Sequence, residues 1–418
     1  MDFPRKASYR YGMTHAPIVV RFLDRGTPPH VLTLVLMASV SALAMNIFLP
    51  SLPGMTAHFD TDYRVMQLSV ALYLAMNGVL QLVVGPISDM LGRRPVILGG
   101  LALFVVATAG CLMAGNVMVF LAFRMMQAVI VVAMVLSRAV VRDLVPEREA
   151  ASMIGYVTMG MAVAPMIGPA FGGLLDEAFG WQANFWALMV MGAMVFWLTW
   201  ADLGETAPAR GQSMAQQFRE YPELLTSPRF WGYALAAGFS SGSFFAYLGG
   251  APFVGEKIFG LSPAEVGLFF GAPSVGYFAG NYLSGRFSVR VGVNPMVLWG
   301  TLINAGGVAL NLALFRAGLG TPVVFFGLMI LMGLGNGMTI PNATAGALSV
   351  RPRLAGTASG LSGALMIGGG AGLSALAGML LTAETGATTL LWIMLATAIL
   401  AVVSIRLVMR REARLAQG

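Results

Sequence analysis

An eleven-residue loop occurs twice in this chain, 200 residues apart, and each copy lies between long apolar stretches. The first copy reads Gly85-Pro-Ile-Ser-Asp-Met-Leu-Gly-Arg-Arg-Pro95. The second reads Gly285-Arg-Phe-Ser-Val-Arg-Val-Gly-Val-Asn-Pro295. Gly85, Ser88, Gly92, Pro95, Leu98 and Gly100 recur as Gly285, Ser288, Gly292, Pro295, Leu298 and Gly300. Such a repeat constrains the fold to two related halves, each with a charged hairpin between its second and third apolar segments. Two similar halves flanking a central axis can rock about it, which is transporter architecture.

The apolar segments are membrane-sized. Charged residues make up 10% of the chain, against about 25% in soluble domains, and the mean hydropathy is +0.77. The pattern predicts an all-α membrane protein of about twelve spans. They fall near 31–52, 65–87, 95–115, 117–140, 151–175, 183–203, 230–253, 263–285, 293–315, 321–345, 354–382 and 387–408. Each is long enough to cross about 30 Å of hydrocarbon at 1.5 Å per residue. The polar stretch 204–229 (Glu205, Arg210, Gln212, Gln216, Gln217, Arg219, Glu220) separates six spans from six and agrees with the repeat. The expected divisions are an N-terminal segment 1–30, a bundle 31–203, a linker 204–229, a bundle 230–409 and a tail 410–418. Before residue 31 the chain carries Arg5, Lys6, Arg10, Arg21 and Arg25 without an apolar core, so the first span is expected to act as its own targeting signal.

Basic residues set the expected orientation. With the N-terminus in the cytoplasm, 21 of the 25 lysines and arginines fall on the inside. Only Arg64, Lys257 and Arg316 fall outside, and Arg124 lies within a span. This is the positive-inside pattern, with both termini cytoplasmic. It accounts for the pI near 9.8 by contact with anionic lipid, without nucleic acid. The single cysteine, Cys111, excludes an internal disulfide and a CxxC site, and His15, His30 and His58 are scattered, so no metal site or cofactor is expected. There is no Walker loop for ATP and no catalytic constellation, so an enzyme is not expected.

Three motifs carry a family resemblance over essentially the whole length after residue 30. The first is the 85–95 loop. The second is Arg124-Met-Met-Gln127, continuing to Ser137-Arg138-Ala-Val-Val-Arg142-Asp143. The third is Ala164-Pro165-Met-Ile-Gly168-Pro169-Ala-Phe-Gly172-Gly173. With them goes Asn46-Ile-Phe-Leu-Pro50-Ser-Leu-Pro53 at the end of the first span. Together they resemble the major facilitator superfamily, and within it the bicyclomycin/chloramphenicol-resistance group of drug:proton antiporters. The resemblance implies a monomeric exporter of lipophilic or neutral small molecules in a bacterial inner membrane. The proton is its implied coupling ion, and Arg124 is implied to belong to the substrate or proton machinery.

The residues have physical readings of their own. Gly85, Pro86 and Gly92 permit a tight turn, anchored by Arg93 and Arg94. Asp89 is within reach of Arg93, of Arg138, or of the N-terminus of the eleventh span near Gly356 to Ser359. With Arg142 and Asp143 this reads as a conformational latch for the outward-facing state, or as a plain topogenic turn. Val289 replaces Asp89 in the second copy, so a latch would be asymmetric. Pro165 and Pro169 bend the fifth span, and Gly168, Gly172 and Gly173 admit a neighbour, expected to be the eighth or eleventh span. Gly360, Gly363, Gly368, Gly369, Gly370 and Gly372 make the eleventh equally permissive.

Arg124 costs at least about 2.5 kcal/mol within a span, so it must face a cavity or a partner, with Gln127 on the same face; a snorkelling arginine is the alternative. By analogy the cavity is lined by the first, fourth, seventh and tenth spans. Its polar and aromatic residues are Asn46, Arg124, Gln127, Ser240, Ser241, Phe244, Phe245, Tyr247 and Asn336, with Tyr73 and Asn77 from the second. Helix packing is the plain alternative for each. No acid lies near mid-span: Asn46 stands where the group often has an aspartate. A proton carrier must then be a peripheral acid, with Asp89 preferred and Asp143 next, ahead of Asp176, Glu177 and Glu265, or coupling uses another route. Two other functions stay open. One is an importer or narrow-specificity metabolite carrier on the same scaffold. The other is a non-transporting membrane sensor or membrane enzyme, which would call for a sizeable soluble domain or a polar catalytic cluster.

Overall fold

The computed structural model describes residues 20–144, 167–206, 222–351, 355–382, 384 and 386–417. In the first half the helices are α1 (Val31–Asn46), α2 (Leu52–His58), α3 (Tyr63–Leu91), α4 (Arg93–Leu112), α5 (Val117–Gln127), α6 (Val131–Leu144), α7 (167–179) and α8 (Gln182–Asp202). After α9 (222–225) the second half contains α10 (Pro228–Phe253), α11 (Pro263–Phe269), α12 (Ala272–Val291), α13 (Val293–Leu314), α14 (Pro322–Gly327), α15 (Met329–Ser349), α16 (Ala355–Leu380) and α17 (Gly386–Gln417).

Nine helical stretches among the described residues are long and apolar enough to cross a membrane. The expected seventh span is α10, a helix made less apolar by Ser240, Ser241 and Ser243. The expected eighth is divided between α11 and α12, because Pro273 has no N–H to return to Phe269. The fifth is described only from residue 167 onward. Other boundaries also move. The first span breaks at Asn46, not at residue 52, because Pro50 cannot donate to the Asn46 carbonyl. The expected tail is helical to Gln417, because Arg410, Arg411, Glu412, Ala413 and Arg414 are good helix formers.

The two halves repeat their packing. In the first, α1 lies on α6 and α8, α4 on α5 and α8, and α3 on α5 and α6. In the second, α10 lies on α15 and α17, α13 on α15 and α17, and α12 on α15. The duplicated loop repeats to the level of backbone angles. Gly92 has φ 95° and ψ 151°, and Gly292 has φ 94° and ψ 158°. Each donates its N–H to the serine four residues earlier, at 3.0 Å to Ser88 and 2.9 Å to Ser288. Side-chain-bearing residues rarely adopt this conformation, which explains both glycines.

Among the described residues the halves meet at the end opposite the duplicated turns, and along α3 and α16 the contact continues inward to Gly78–Gly368 and Gln81–Gly363. There α3 runs along α16, and α10 and α11 meet α2 and the turn Leu49–Ser51. One apolar cluster is continuous from the first half into this end of the second, through Phe48, Phe120, Tyr247 and Phe326. Near the turns the second half has a separate cluster around Phe230, Tyr233, Ala347 and Ile405. A side chain built at Gly85, Gly285 or Gly360 would meet nothing within 4 Å.

Gly92→Ala should lower stability by about 1–3 kcal/mol from backbone strain. It should cost more than Gly292→Ala, because a Cβ at residue 92 also lies 2.4 Å from the Glu205 carboxylate, whereas at 292 it meets only Pro295 at 3.7 Å. Thermal melting of the purified variants checks the order; equal losses would contradict it.

Candidate functional site

Three groups of side chains occupy the places the sequence singles out. The first surrounds the turn between α3 and α4. Arg93 is 7% exposed and bridges two acids: Asp89, one helical turn before it, and Asp143 at the end of α6, 3.1 Å from Nε. Its guanidinium also donates to the Ser88 hydroxyl. Arg94 points the other way and donates to the Leu203 and Trp200 carbonyls at the end of α8, at 2.8 and 3.2 Å. The free amides that open α4 are taken by Glu205, which accepts from Arg93 N at 2.8 Å and Arg94 N at 3.2 Å. An acid at a helix N-terminus meets both orphan donors and the positive end of the dipole. Asp89 therefore engages its own half. Arg138 is partly buried on α6; the side chains of Arg142 and of residues 356, 357 and 359 lie outside what is described.

Two acids that the sequence reading left unassigned hold this region. Glu205 is one. Asp202 is the other: it is fully buried and accepts from Leu23 N at 2.7 Å, His30 N at 2.8 Å and the Thr33 hydroxyl at 2.6 Å. It ties the start of α1 to the end of α8. The signal in sequence was only an acid at a span end, which does not reveal a partner about 170 residues away. The second half copies the Glu205 tie with different residues. Glu412 of α17 accepts from Asn294, in the position equivalent to Arg94, and pairs with Arg229 at 2.8 Å.

The second group is a buried polar centre in each half. Arg124 is fully buried and does not snorkel. It donates to the Gln127 Oε1 at 2.6 Å, the Ala44 carbonyl at 2.8 Å and the Ser69 carbonyl at 3.3 Å. Its guanidinium lies 4.0 Å from the Tyr73 ring centroid and 4.3 Å from that of Phe48. The Ala44 carbonyl is available because α1 ends at Asn46, leaving its last turn without intrahelical donors. Gln127 passes the chain on to the Thr108 hydroxyl at 2.7 Å. Asn46 donates to Ala42 of its own helix at 2.8 Å, and its Oδ1 has no partner among the described residues. Asn77 accepts from Gln81 at 2.9 Å, one turn along α3 from Tyr73.

In the second half Ser240 donates to Asn336 at 2.6 Å, and Asn304 donates to the Ser240 carbonyl at 3.3 Å. These lie on α10, α13 and α15, the counterparts of α1, α4 and α5, so one centre is cationic and the other neutral. Tyr247 stands apart from both, packed on Phe270 at 4.9 Å between centroids. Phe245 fills the groove over Gly370. Ser241 bonds its own helix at Gly238, and Phe244 is partly buried beside Phe245.

The third group crosses between the halves at their closed end. Gln67 donates to the Ser374 hydroxyl at 2.8 Å, and Tyr63 donates to the Gly249 carbonyl at 3.1 Å. Gly173 and Gly267 let α7 and α11 approach backbone to backbone: a Cβ at either would sit 2.2 Å from a carbonyl oxygen, of Pro263 or of Pro169. Gly168 and Gly172 face Leu43 and Ile47 of α1 instead. The neighbour expected for this motif is thus shared between the first span and the start of the eighth. Ala164 and Pro165 lie outside the described residues.

Repeated apolar halves, each tied at its turn and packed on the other along α3 and α16, make the scaffold of a multi-pass membrane transporter rather than an enzyme. A model of the Major Facilitator Superfamily matches residues 34–363 and 251–417. The chain is 32% identical over 374 residues to the uncharacterized MFS-type transporter YdgK of Bacillus subtilis (strain 168), covering 87% of this chain and 91% of that protein. It is 30% identical over 371 residues to multidrug resistance protein D of Escherichia coli (strain K12), covering 86% and 91%. It is 33% identical over 329 residues to a chloramphenicol resistance protein of Pseudomonas aeruginosa, covering 76% of each. Among solved structures, a D-xylose-proton symporter superposes with a TM-score of 0.72 at 16% identity, covering 90% of this chain and 96% of that one. The chain therefore belongs to the Major Facilitator Superfamily.

Gln127→Leu should cost about 1–3 kcal/mol, because the buried guanidinium loses an acceptor and nothing replaces it. Arg124→Lys should cost at least as much, since an ammonium cannot reach the fan of acceptors and lie between two rings. Unfolding in mixed detergent micelles checks both; unchanged stability would mean the network contributes nothing to the half.

Proposed function

We propose that this chain is a proton-driven exporter of lipophilic or neutral small molecules. In this reading it is a monomer in a bacterial inner membrane, with twelve spans and both termini in the cytoplasm. The carrying observation is the set of ties that close the end opposite the turns. Hydrogen bonds from Tyr63 and Gln67 and the Gly173–Gly267 approach close the end opposite the turns. The turn end carries no such ties at Gly85, Gly285 or Gly360. Under the basic-residue orientation the closed end is external, so the described conformation opens to the cytoplasm, where an exporter collects its cargo. The printed names of the Escherichia coli and Pseudomonas aeruginosa relatives support drugs as the cargo class.

The cavity between the halves would be edged by Asn46, Tyr73, Asn77 and Gln127 on one side and by Phe245 and Asn336 on the other, with Arg124 fixing the first side from behind. Few charges and many aromatic and methionine side chains suit apolar cargo. Proton coupling is assigned to the carboxylates around Arg93. Asp89 and Asp143 share this one guanidinium, so protonating either would loosen the turn and free Asp89 to meet the start of α16 as a latch when the cytoplasmic end closes. Asp176, at the end of α7, is the second candidate. Burial raises its carboxyl above the ordinary range, against the hydrogen bond from Ser51 that lowers it, and Glu256 raises it further.

Drug accumulation in an efflux-deficient bacterium tests this reading. Cells expressing the protein should hold less chloramphenicol-type or bicyclomycin-type compound, and a protonophore or Arg124→Ala should abolish the difference. Asp89→Asn or Asp143→Asn should cut efflux about tenfold or more if either carries the proton. Unchanged accumulation for every compound would reject export of this cargo class and favour a narrow metabolite carrier.

A further inference from the structure

A groove of about 580 Å³ runs between the start of α10 and the last turns of α17, away from the interface between the halves. Its wall on α10 holds Trp231 and Leu235, and its wall on α17 holds Leu407, Arg410, Arg411 and Arg414. The α17 residues follow the spacing i, i+3, i+4, i+7, so they share one helix face. Glu412, the acid among them, lies on the opposite face and is occupied by Arg229 and Asn294. Three guanidinium groups are thus gathered at one end of the groove, and among the described residues of α17 no carboxylate shares their face. Toward the middle of α17 the same face continues as Leu407, Val403 and Leu400, all of them exposed.

The surface is graded along a single line, apolar within the expected hydrocarbon layer and cationic where α17 leaves it. At 32 residues, about 48 Å at 1.5 Å per residue, α17 is longer than the layer is thick and carries the arginines past its edge. Leu225 is fixed at the groove mouth by the Trp231 indole, which donates to its carbonyl at 2.7 Å.

We propose that this groove binds one anionic phospholipid, with its phosphate on Arg410, Arg411 and Arg414 and an acyl chain along Leu407 and Leu235. Arginine forks match phosphate oxygens two at a time, and an amphiphile covers both parts of the surface at once. A soluble phosphate could use only the arginines. The site lies outside any cargo path and holds whether or not the chain exports drugs.

Native mass spectrometry of the full chain in neutral detergent tests this, with dioleoyl phosphatidylglycerol and dioleoyl phosphatidylcholine as probes. One phosphatidylglycerol should be retained in preference to phosphatidylcholine by about tenfold or more. The triple variant Arg410→Gln, Arg411→Gln, Arg414→Gln should fall to the phosphatidylcholine level. Leu407→Trp keeps all three charges and fills the groove, so it should lose the lipid too; it also serves if the triple variant fails to fold. Millimolar inorganic phosphate should not displace the lipid. Retention equal to wild type in Leu407→Trp, or full displacement by phosphate, would overturn the proposal, the second in favour of a simple anion site.

Discussion

In each half a carboxylate at the last helix, or just beyond its end, reaches the turn between the second and third spans, and the rest of the architecture depends on that tie. In the first half Glu205 caps the amides of Arg93 and Arg94. In the second half Glu412 holds Asn294 and, through it, Tyr233 of α10. The turn itself is fixed by a glycine in a conformation closed to other residues. These bonds join the turn of each half to the end of its last helix. Between the halves, the described hydrogen bonds lie at the end opposite the turns.

The repeat also shows where the halves have diverged. The first half places a guanidinium between two aromatic rings and against the end of α1, with no acid beside it among the described residues. The second puts a Ser–Asn–Asn cluster in the same place. The first turn carries an ion-paired triad, while Val289 in the second is fully exposed. The charged buried centre and the ion-paired triad at the turn therefore lie in one half, and the neutral buried centre in the other.

Most of this fold was legible because membrane spans and a 200-residue duplication leave strong, local signals. The paired glycines at 92 and 292, and the buried arginine with its glutamine three residues on, could be read directly. What could not be read depends on partners far apart in the chain. Asp202 looks like any acid at a span end until His30 and Thr33 are brought to it. The Gln67–Ser374 bond joins residues 307 apart, each unremarkable within its own span. Tyr247, an expected cavity residue, is packed among Phe270 and Phe326 instead, because α10 turns that face toward α11 and α14. Helical periodicity gives a residue's face but not the neighbour the face will meet.

The most direct test of a carrier that opens and closes at alternate ends is to lock the bonded end. In a Cys111→Ala background, cysteines replacing Gln67 and Ser374 would be joined by a short thiol crosslinker in membranes, and transport would be measured before and after reducing the link. The account predicts that crosslinking forms readily, stops transport, and is reversed by reductant. Continued transport through the crosslinked protein would contradict it, since the halves would then not need to part there.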